Sequence, residues 1–170
     1  VEMPGMSGID FLKQLLPKHP LPVILVSSLN LRVFDALSAG AVDFVRKPDS
    51  TLNNDAFIAA LTQKVISAAG AKVRQASAAL LQTGAPSPVA ALGQRPALDQ
   101  VIIGLGASTG GTEATLEVLK RLPADIPGML IVQHMPTGFT QMYAQRLDRL
   151  CQMEVREAKN GDEVRRGLAL

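Results

Sequence analysis

Between Val101 and Gln133 the chain carries a β-branched apolar run, a glycine-rich turn, an amphipathic run and a second apolar run. The apolar runs predict strands at Val101–Ile103 and Met129–Gln133, and the periodicity of Thr112–Leu122 predicts a helix between them. A strand, a helix and a strand in this order form a right-handed unit with parallel strands. The pattern therefore predicts an α/β fold in which Met129–Gln133 is a buried strand.

A serine stands in the middle of the glycine-rich turn. Gly106–Gly110 reads G-x-S-x-G with Ser108 at its centre, which is the pattern of a nucleophile elbow. Glycines on both sides allow positive φ and leave the hydroxyl uncovered. The N-terminus of the following helix supplies unpaired N–H groups that suit a developing oxyanion. These features make Ser108 a candidate nucleophile.

Three other interpretations fit the same glycines. A dinucleotide fingerprint, G-x-G-x-x-G, matches Gly104 and Gly106 but has Thr109 at its third glycine position. A phosphate-binding loop matches Gly106 and Gly111 but has Thr112 where it requires a lysine. The third interpretation is a glycine-rich turn without any chemistry, and the motif alone does not exclude it.

A histidine follows the second predicted strand. Because neighbouring parallel strands end on the same edge of a sheet, Ser108 and His134 are predicted to lie at one edge. A neutral imidazole there can accept the serine proton and return it to a leaving group. The carboxylates that could orient the imidazole fall at the opposite edge, on a polar helix face or in a turn: Asp99, Asp125, Asp148 and Asp162. Either the pair works alone or the orienting acid lies beyond Leu170.

The first part of the chain also alternates between apolar strand patterns and helical patterns. Strands are predicted at Val23–Val26 and Val42–Val45, and helices at Leu31–Ala39 and around Phe57–Ile66. This alternation predicts a doubly wound parallel sheet. Glycine, proline and small polar residues then indicate a linker. We therefore divide the chain into residues 1–71, a linker at 72–98 and a second domain at 99–170.

Composition argues against several other classes of protein. The 170 residues have a net charge of +2 with scattered lysine and arginine, which gives no indication of nucleic-acid binding. No apolar run approaches the roughly 18 residues of a membrane-spanning helix, and no signal peptide is visible. The single cysteine, Cys151, excludes an internal disulfide and fits a reducing cytosol. We expect a cytoplasmic protein without membrane insertion.

The motifs of the second domain resemble those of a known enzyme family. G-L-G-A-S-T-G-G at Gly104–Gly111 and V-Q-H-M-P at Val132–Pro136 look like the catalytic domain of chemotaxis protein-glutamate methylesterases, the CheB family. The resemblance implies that residues 99–170 are the N-terminal part of a Rossmann-like parallel α/β methylesterase domain. It implies that Ser108 is the nucleophile and His134 its base. The family's aspartate would lie beyond this chain.

The same resemblance assigns the active-site turn and the start of the chain. It implies that Thr109 and Gly110 belong to the active-site turn. The segment beginning Val1-Glu2-Met3-Pro4 is similar to the C-terminal part of a response-regulator receiver domain, a flavodoxin-like doubly wound sheet. In that family the phospho-acceptor aspartate would immediately precede Val1, and the backbone carbonyl of Glu2 would help to bind Mg²⁺. We therefore expect a fragment truncated at both ends.

Further receiver positions follow along the chain. The resemblance implies that Ser27 and Lys47 bind the phosphoryl group and that Phe44 is the aromatic switch. The bond between Lys47 and Pro48 is often cis in such domains. Without the acceptor aspartate and the earlier acidic pair, this fragment would not hold Mg²⁺ properly or accept phosphate.

Together the two resemblances imply a phosphorylation-regulated protein-glutamate methylesterase and protein-glutamine glutaminase. It would hydrolyse glutamyl methyl esters on methyl-accepting chemotaxis receptors to glutamate and methanol, with no cofactor for catalysis. A chemotaxis histidine kinase would donate phosphate, and the receiver would block the active site until phosphorylated. We expect little turnover from the fragment itself. The alternative is a non-enzymatic response regulator whose α/β output domain binds a nucleotide or a protein.

Overall fold

A computed structural model describes residues 5–28, 32–48, 54–70, 96–136 and 138–170. The chain divides into two compact units, Val1–Thr83 and Gly84–Leu170. The division falls within the predicted linker, of which residues 72–95 lie outside the described ranges. The domain boundaries around that linker therefore stay predictions.

The first unit alternates helices and strands. Its elements are α1 (Gly8–Leu15), β1 (Ile24–Ser27), α2 (Val33–Ser38), β2 (Asp43–Arg46) and α3 (Asn54–Ala69). The two strands are parallel, α2 contacts β1, and α3 contacts both strands. Both predicted strands are confirmed, and each begins and ends one residue later than its apolar run. The α/β class with a parallel sheet is therefore confirmed for this unit.

The second unit contains a four-stranded sheet. Its elements are a 3₁₀ helix (Pro96–Gln100), β3 (Ile102–Ala107), α4 (Gly111–Leu119), β4 (Gly128–Gln133), α5 (Phe139–Leu150), β5 (Glu154–Val155) and β6 (Leu168–Ala169). The strand order is β3-β4-β6-β5, and every pair is parallel. The predicted strand–helix–strand unit from β3 to β4 is thus confirmed.

Three features of the second unit depart from the sequence pattern, and the first is that β3 extends to Ala107, four residues beyond the predicted strand. The second is that helix α4 ends at Leu119 rather than at the predicted Leu122. The amides of Arg121 and Leu122 donate to carbonyls three residues earlier, at 3.1 Å each. The last turn is therefore wound more tightly than an α-helix, as is common at helix ends.

The third departure concerns the burial of β4. Met129 is buried, but Leu130 is 39% and Val132 is 71% exposed. Helices α4 and α5 contact each other, so they share one face of the sheet. In the described part of the unit, the apolar side chains of the opposite face stay exposed. The prediction of a buried strand is therefore wrong for one face of β4.

Candidate active site

The turn after β3 has a backbone that only glycine adopts readily. The Gly111 amide donates to the Ser108 carbonyl at 2.7 Å, which closes a four-residue turn. Gly110, the third residue of that turn, has φ 76° and ψ −6°. These angles are those of a type II turn, which requires positive φ at this position. Gly110 therefore explains why the chain can turn sharply after Thr109, with the exposed Ser108 at its start.

Helix α4 begins directly behind this turn. Gly110 is its N-cap, and a glycine has no side chain that could accept a hydrogen bond from the first turn of the helix. The first-turn N–H groups of a helix have no partner within the helix, and the helix dipole places a partial positive charge there. The strand, the turn and the helix therefore place Ser108 three residues before Gly111, the first residue of α4.

The register of the sheet brings the predicted nucleophile and base to one edge. Strands β3 and β4 pair in parallel from Ile102 opposite Gly128 to Ala107 opposite Gln133. Ser108 and His134 are the residues that follow these last paired residues. Neighbouring strands lie about 4.8 Å apart, so the two residues leave the sheet side by side. Both are exposed.

A glutamine that the sequence analysis did not single out joins these two positions. The side-chain amide of Gln133 donates to the carbonyl of Ser108 at 3.0 Å and to the carbonyl of His134 at 3.4 Å. The position of Gln133, at a strand end and directly before a candidate base, is the sequence signal that could have indicated its role. Its side chain crosses from β4 to the turn after β3.

Contacts from α5 hold the first turn of α4. The Tyr143 hydroxyl donates to the Thr112 carbonyl at 2.9 Å, and Arg146 pairs with Glu113 at 2.8 Å. Arg146 is only 9% exposed. The Arg146 side chain therefore packs against α4. These contacts fix the helix whose N-terminus lies behind Ser108.

The Tyr143 phenol gives a spectroscopic test of this packing. Burial raises the pKa of Tyr143 from 10.0 to about 12. Between these pH values the folded state keeps a proton that the unfolded state releases, so this contribution to stability is complete below pH 10 and lost toward pH 12. Two pKa units correspond to about 3 kcal/mol of unfolding free energy.

We expect the ultraviolet titration of tyrosinate to have its midpoint near pH 12 in the native chain and near pH 10 in denaturant. The chain has one tyrosine and no tryptophan, so the signal belongs to Tyr143 alone. A native midpoint near pH 10 would contradict the burial of this side chain.

The carboxylates considered from the sequence all have other partners. Asp99 and Asp125 lie before β3 and β4, at the opposite edge, and both pair with Arg166, at 3.5 and 3.3 Å. Asp148 accepts the Val155 amide at 2.9 Å. None of these three faces the edge that carries His134.

The fourth carboxylate, Asp162, belongs to a turn as predicted. It pairs with Arg156 at 2.6 Å and accepts the Lys159 amide at 2.6 Å. The hydrogen bond from Arg156 holds the pKa of the Asp162 carboxyl below its usual range. Glu157, which the sequence analysis did not consider, does lie past the carboxyl end of β5, where the Thr140 hydroxyl donates to it.

A cavity of about 200 Å³ lies at the same edge, between β4 and the segment that follows β5. Strand β6 lies between β4 and β5 in the sheet, but its last residue paired with them is Ala169. The walls of the cavity include Ile131, Gln133, Tyr143, Val155, Glu157 and Leu170.

The described part of the chain gives little support for a metal site, a membrane-spanning helix or a cysteine nucleophile. No group of three or more His, Cys, Asp and Glu residues there could hold a metal ion. No helix there has the length and apolar character to cross a bilayer. Burial raises the pKa of the Cys151 thiol, which lowers its thiolate fraction and so its reactivity.

The predicted receiver positions lie in the first unit. Ser27 ends β1 and Lys47 directly follows β2, and the Lys47 amide donates to the Ser27 carbonyl at 2.9 Å. The structure thus brings these two residues to one strand edge. Phe44 is buried in β2. The bond before Pro48 is trans, unlike the cis form often seen in receivers, and Glu2 lies outside the described residues.

Comparisons with known proteins find one family model that matches part of the chain and relatives that are similar over its whole length. Residues 103–170 match the sequence model of a family described as CheB methylesterase. The chain is 47% identical, over its whole length, to protein-glutamate methylesterase/protein-glutamine glutaminase 2 of Syntrophomonas wolfei and covers 48% of that protein. For the protein-glutamate methylesterase/protein-glutamine glutaminase of Syntrophotalea carbinolica the identity is 46%, over the whole chain and 50% of the relative.

A solved structure is also similar. It is the crystal structure of the Thermotoga maritima CheB methylesterase catalytic domain, with 40% identity and a TM-score of 0.39. The match covers 40% of this chain and 36% of that one. The chain spans about half the length of the curated relatives it matches.

Proposed function

We propose that this chain, whose residues 103–170 match the family model described as CheB methylesterase, carries the nucleophile and the general base of a protein-glutamate methylesterase. The observation that carries the proposal is the register of the parallel strands β3 and β4, in which Ala107 pairs with Gln133. It places Ser108 and His134 side by side at an exposed sheet edge. In this proposal Thr109 and Gly110 shape the active-site turn.

The first half of the reaction forms a covalent intermediate. The Ser108 hydroxyl oxygen attacks the carbonyl carbon of a γ-glutamyl methyl ester while His134 accepts the hydroxyl proton. The tetrahedral intermediate collapses, His134 returns the proton to the methoxy oxygen, and methanol leaves. Ser108 is then esterified by the glutamyl group.

The second half releases the product. A water molecule attacks the acyl-enzyme, gives its proton to His134, and the Ser108 oxygen leaves and takes the proton back. The product is a glutamate side chain. The same steps release ammonia from a glutamine, because a primary amide offers the same acyl carbon and a leaving nitrogen that His134 can protonate. Glutamates and glutamines of methyl-accepting chemotaxis receptors are the proposed substrates.

Charge develops on the carbonyl oxygen during both halves. Helix α4 begins three residues after Ser108, and the dipole of a helix start needs no reorganisation during the reaction. We assign the stabilisation of the oxyanion to this helix start. No metal or other cofactor is part of the proposed chemistry.

The orienting carboxylate is proposed to come from outside residues 1–170. Asp99, Asp125, Asp148 and Asp162 are all engaged elsewhere, and Glu157 accepts the Thr140 hydroxyl. An imidazole without an orienting carboxylate is a poorer base because its tautomer is not fixed. The chain alone is therefore proposed to have little turnover, and activity belongs to a protein of about the length of its relatives.

The first unit is proposed to be part of a receiver domain that represses the enzyme until a histidine kinase supplies phosphate. Ser27 and Lys47 share one strand edge, where a hydroxyl and an ammonium suit a phosphoryl group. Phe44 is the proposed aromatic switch. The described residues alone do not fit Mg²⁺, because they contain no cluster of acidic ligands. Any Mg²⁺ site would need ligands from outside them.

The proposal is tested by assigning the reactive serine chemically. A fluorophosphonate should label Ser108 in the protein at the length of its relatives. The same treatment should abolish release of methanol from a peptide that carries a glutamate γ-methyl ester. Peptide mapping by mass spectrometry locates the label. A label on another residue, or methanol release that continues after complete labelling of Ser108, would overturn the assignment in favour of a non-enzymatic output domain or a different site.

A further inference from the structure

The Gln133 side chain bridges the turn after β3 and the end of β4. Its amide nitrogen donates to the carbonyls of Ser108 and His134, at 3.0 and 3.4 Å. These carbonyls belong to the proposed nucleophile and the proposed base. One amide group therefore ties the turn after β3 to the end of β4.

The Gln133 side chain packs closely against the turn formed by Ser108–Gly111. A Cβ atom added to Gly111 would collide with the Gln133 amide oxygen and would lie 2.5 Å from the Ala107 Cβ. Gly111 is therefore needed so that the glutamine can reach Ser108. The helix start, the turn and the glutamine fit together only when position 111 has no side chain.

The amide oxygen of Gln133 is buried and has no hydrogen-bond partner within the described structure. Leaving a buried polar atom unpaired costs free energy. An apolar side chain of similar length would fill the same space without that cost. The bridge made by the amide nitrogen gives a reason for a glutamine at this position.

We propose that Gln133 is a positioning residue, which sets the distance between the Ser108 turn and the strand end that carries His134. This inference rests on the proposed function, since it assigns to Gln133 the alignment of that pair. A displacement of about 1 Å in a catalytic group can lower turnover about 100-fold. Gln133 acts on this alignment through the backbone, without touching the substrate.

The test compares Gln133→Met with Gln145→Met in the protein at the length of its relatives. Methionine keeps the length of the side chain and removes the donor, and Gln145 is an exposed glutamine on α5. We expect Gln133→Met to lower kcat about 10- to 100-fold, with KM changed less than about two-fold. Gln145→Met should behave as the parent protein.

The rate at which a fluorophosphonate labels Ser108 provides a second readout. It should fall in parallel with kcat, while the final labelled fraction stays complete, because the variant is folded but misaligned. A purely structural role would lower the labelled fraction and leave the rate of the folded molecules unchanged. Gln133→Glu, which also lacks the donor, should show the same selective loss of kcat, and it decides the question if Gln133→Met does not fold.

The two proposals fail in different ways. If the parent is not labelled at Ser108, the proposed function fails and this inference fails with it. If the parent is labelled at Ser108 but Gln133→Met has the parent's kcat and labelling rate, only the positioning role is overturned. An equal loss of kcat in Gln145→Met would also overturn it.

Discussion

Replacing Ser108 with alanine is expected to lower kcat for a glutamyl methyl ester by a factor on the order of 10⁴ or more. Alanine removes the oxygen that forms the acyl-enzyme, and the remaining N–H groups and histidine stabilise no covalent intermediate. The affinity for the ester peptide should change little, because a hydrogen atom replaces a small exposed hydroxyl. Methanol release by the protein at the length of its relatives measures the effect.

The matched control for this variant is Ser67→Ala, which changes an exposed serine on α3 in the other unit and should leave kcat unchanged. Release of ammonia from a receptor glutamine should be lost together with release of methanol, since both reactions use one nucleophile. Deamidation that survives Ser108→Ala would place the glutaminase activity at a different site. Methanol release that survives would remove Ser108 from the mechanism.

The location of the candidate site could be predicted because it depends only on topology. Two short apolar runs with a helix between them have one common arrangement, and parallel strands end on the same edge. The turn at Ser108 was predictable for a local reason, since its backbone requires positive φ at Gly110. The strand order and the turn geometry both depend on segments that are close together in the sequence.

The contacts that stabilise the site could not be predicted in this way. Gln133 and Arg146 both act across elements, and periodicity does not show which side chain reaches which neighbour. Arg146 stands on a helix whose polar residues would otherwise be assigned to solvent, yet it is buried against Glu113. Tertiary packing determines such pairs, and a single sequence carries no direct signal for them.

The burial of β4 shows a related limit. An apolar run predicts a strand covered on both faces, because side chains alternate between the two faces of a sheet. Whether both faces are covered depends on elements elsewhere in the protein. Val132 is 71% exposed in the described structure, although its apolar character was interpreted correctly as that of a strand residue.

Replacing His134 with alanine is the second decisive experiment, and it should lower kcat by a factor on the order of 10³ or more. Without the imidazole, the Ser108 hydroxyl has no neighbouring group to accept its proton, so fluorophosphonate labelling of Ser108 should slow as well. Added imidazole should restore part of both rates, because it can enter the space that the side chain leaves at the exposed edge. Methanol release and the labelling rate are the measurements.

The chain offers a matched control, since His19 is its only other histidine and is exposed in the first unit. His19→Ala should retain the parent's kcat. A nucleophile and its base act as one unit, so the combined Ser108→Ala and His134→Ala variant should be no slower than Ser108→Ala alone. Losses that multiply in the double variant would show that the two residues act independently. A sheet edge at which they act independently would not be the active site of a serine esterase.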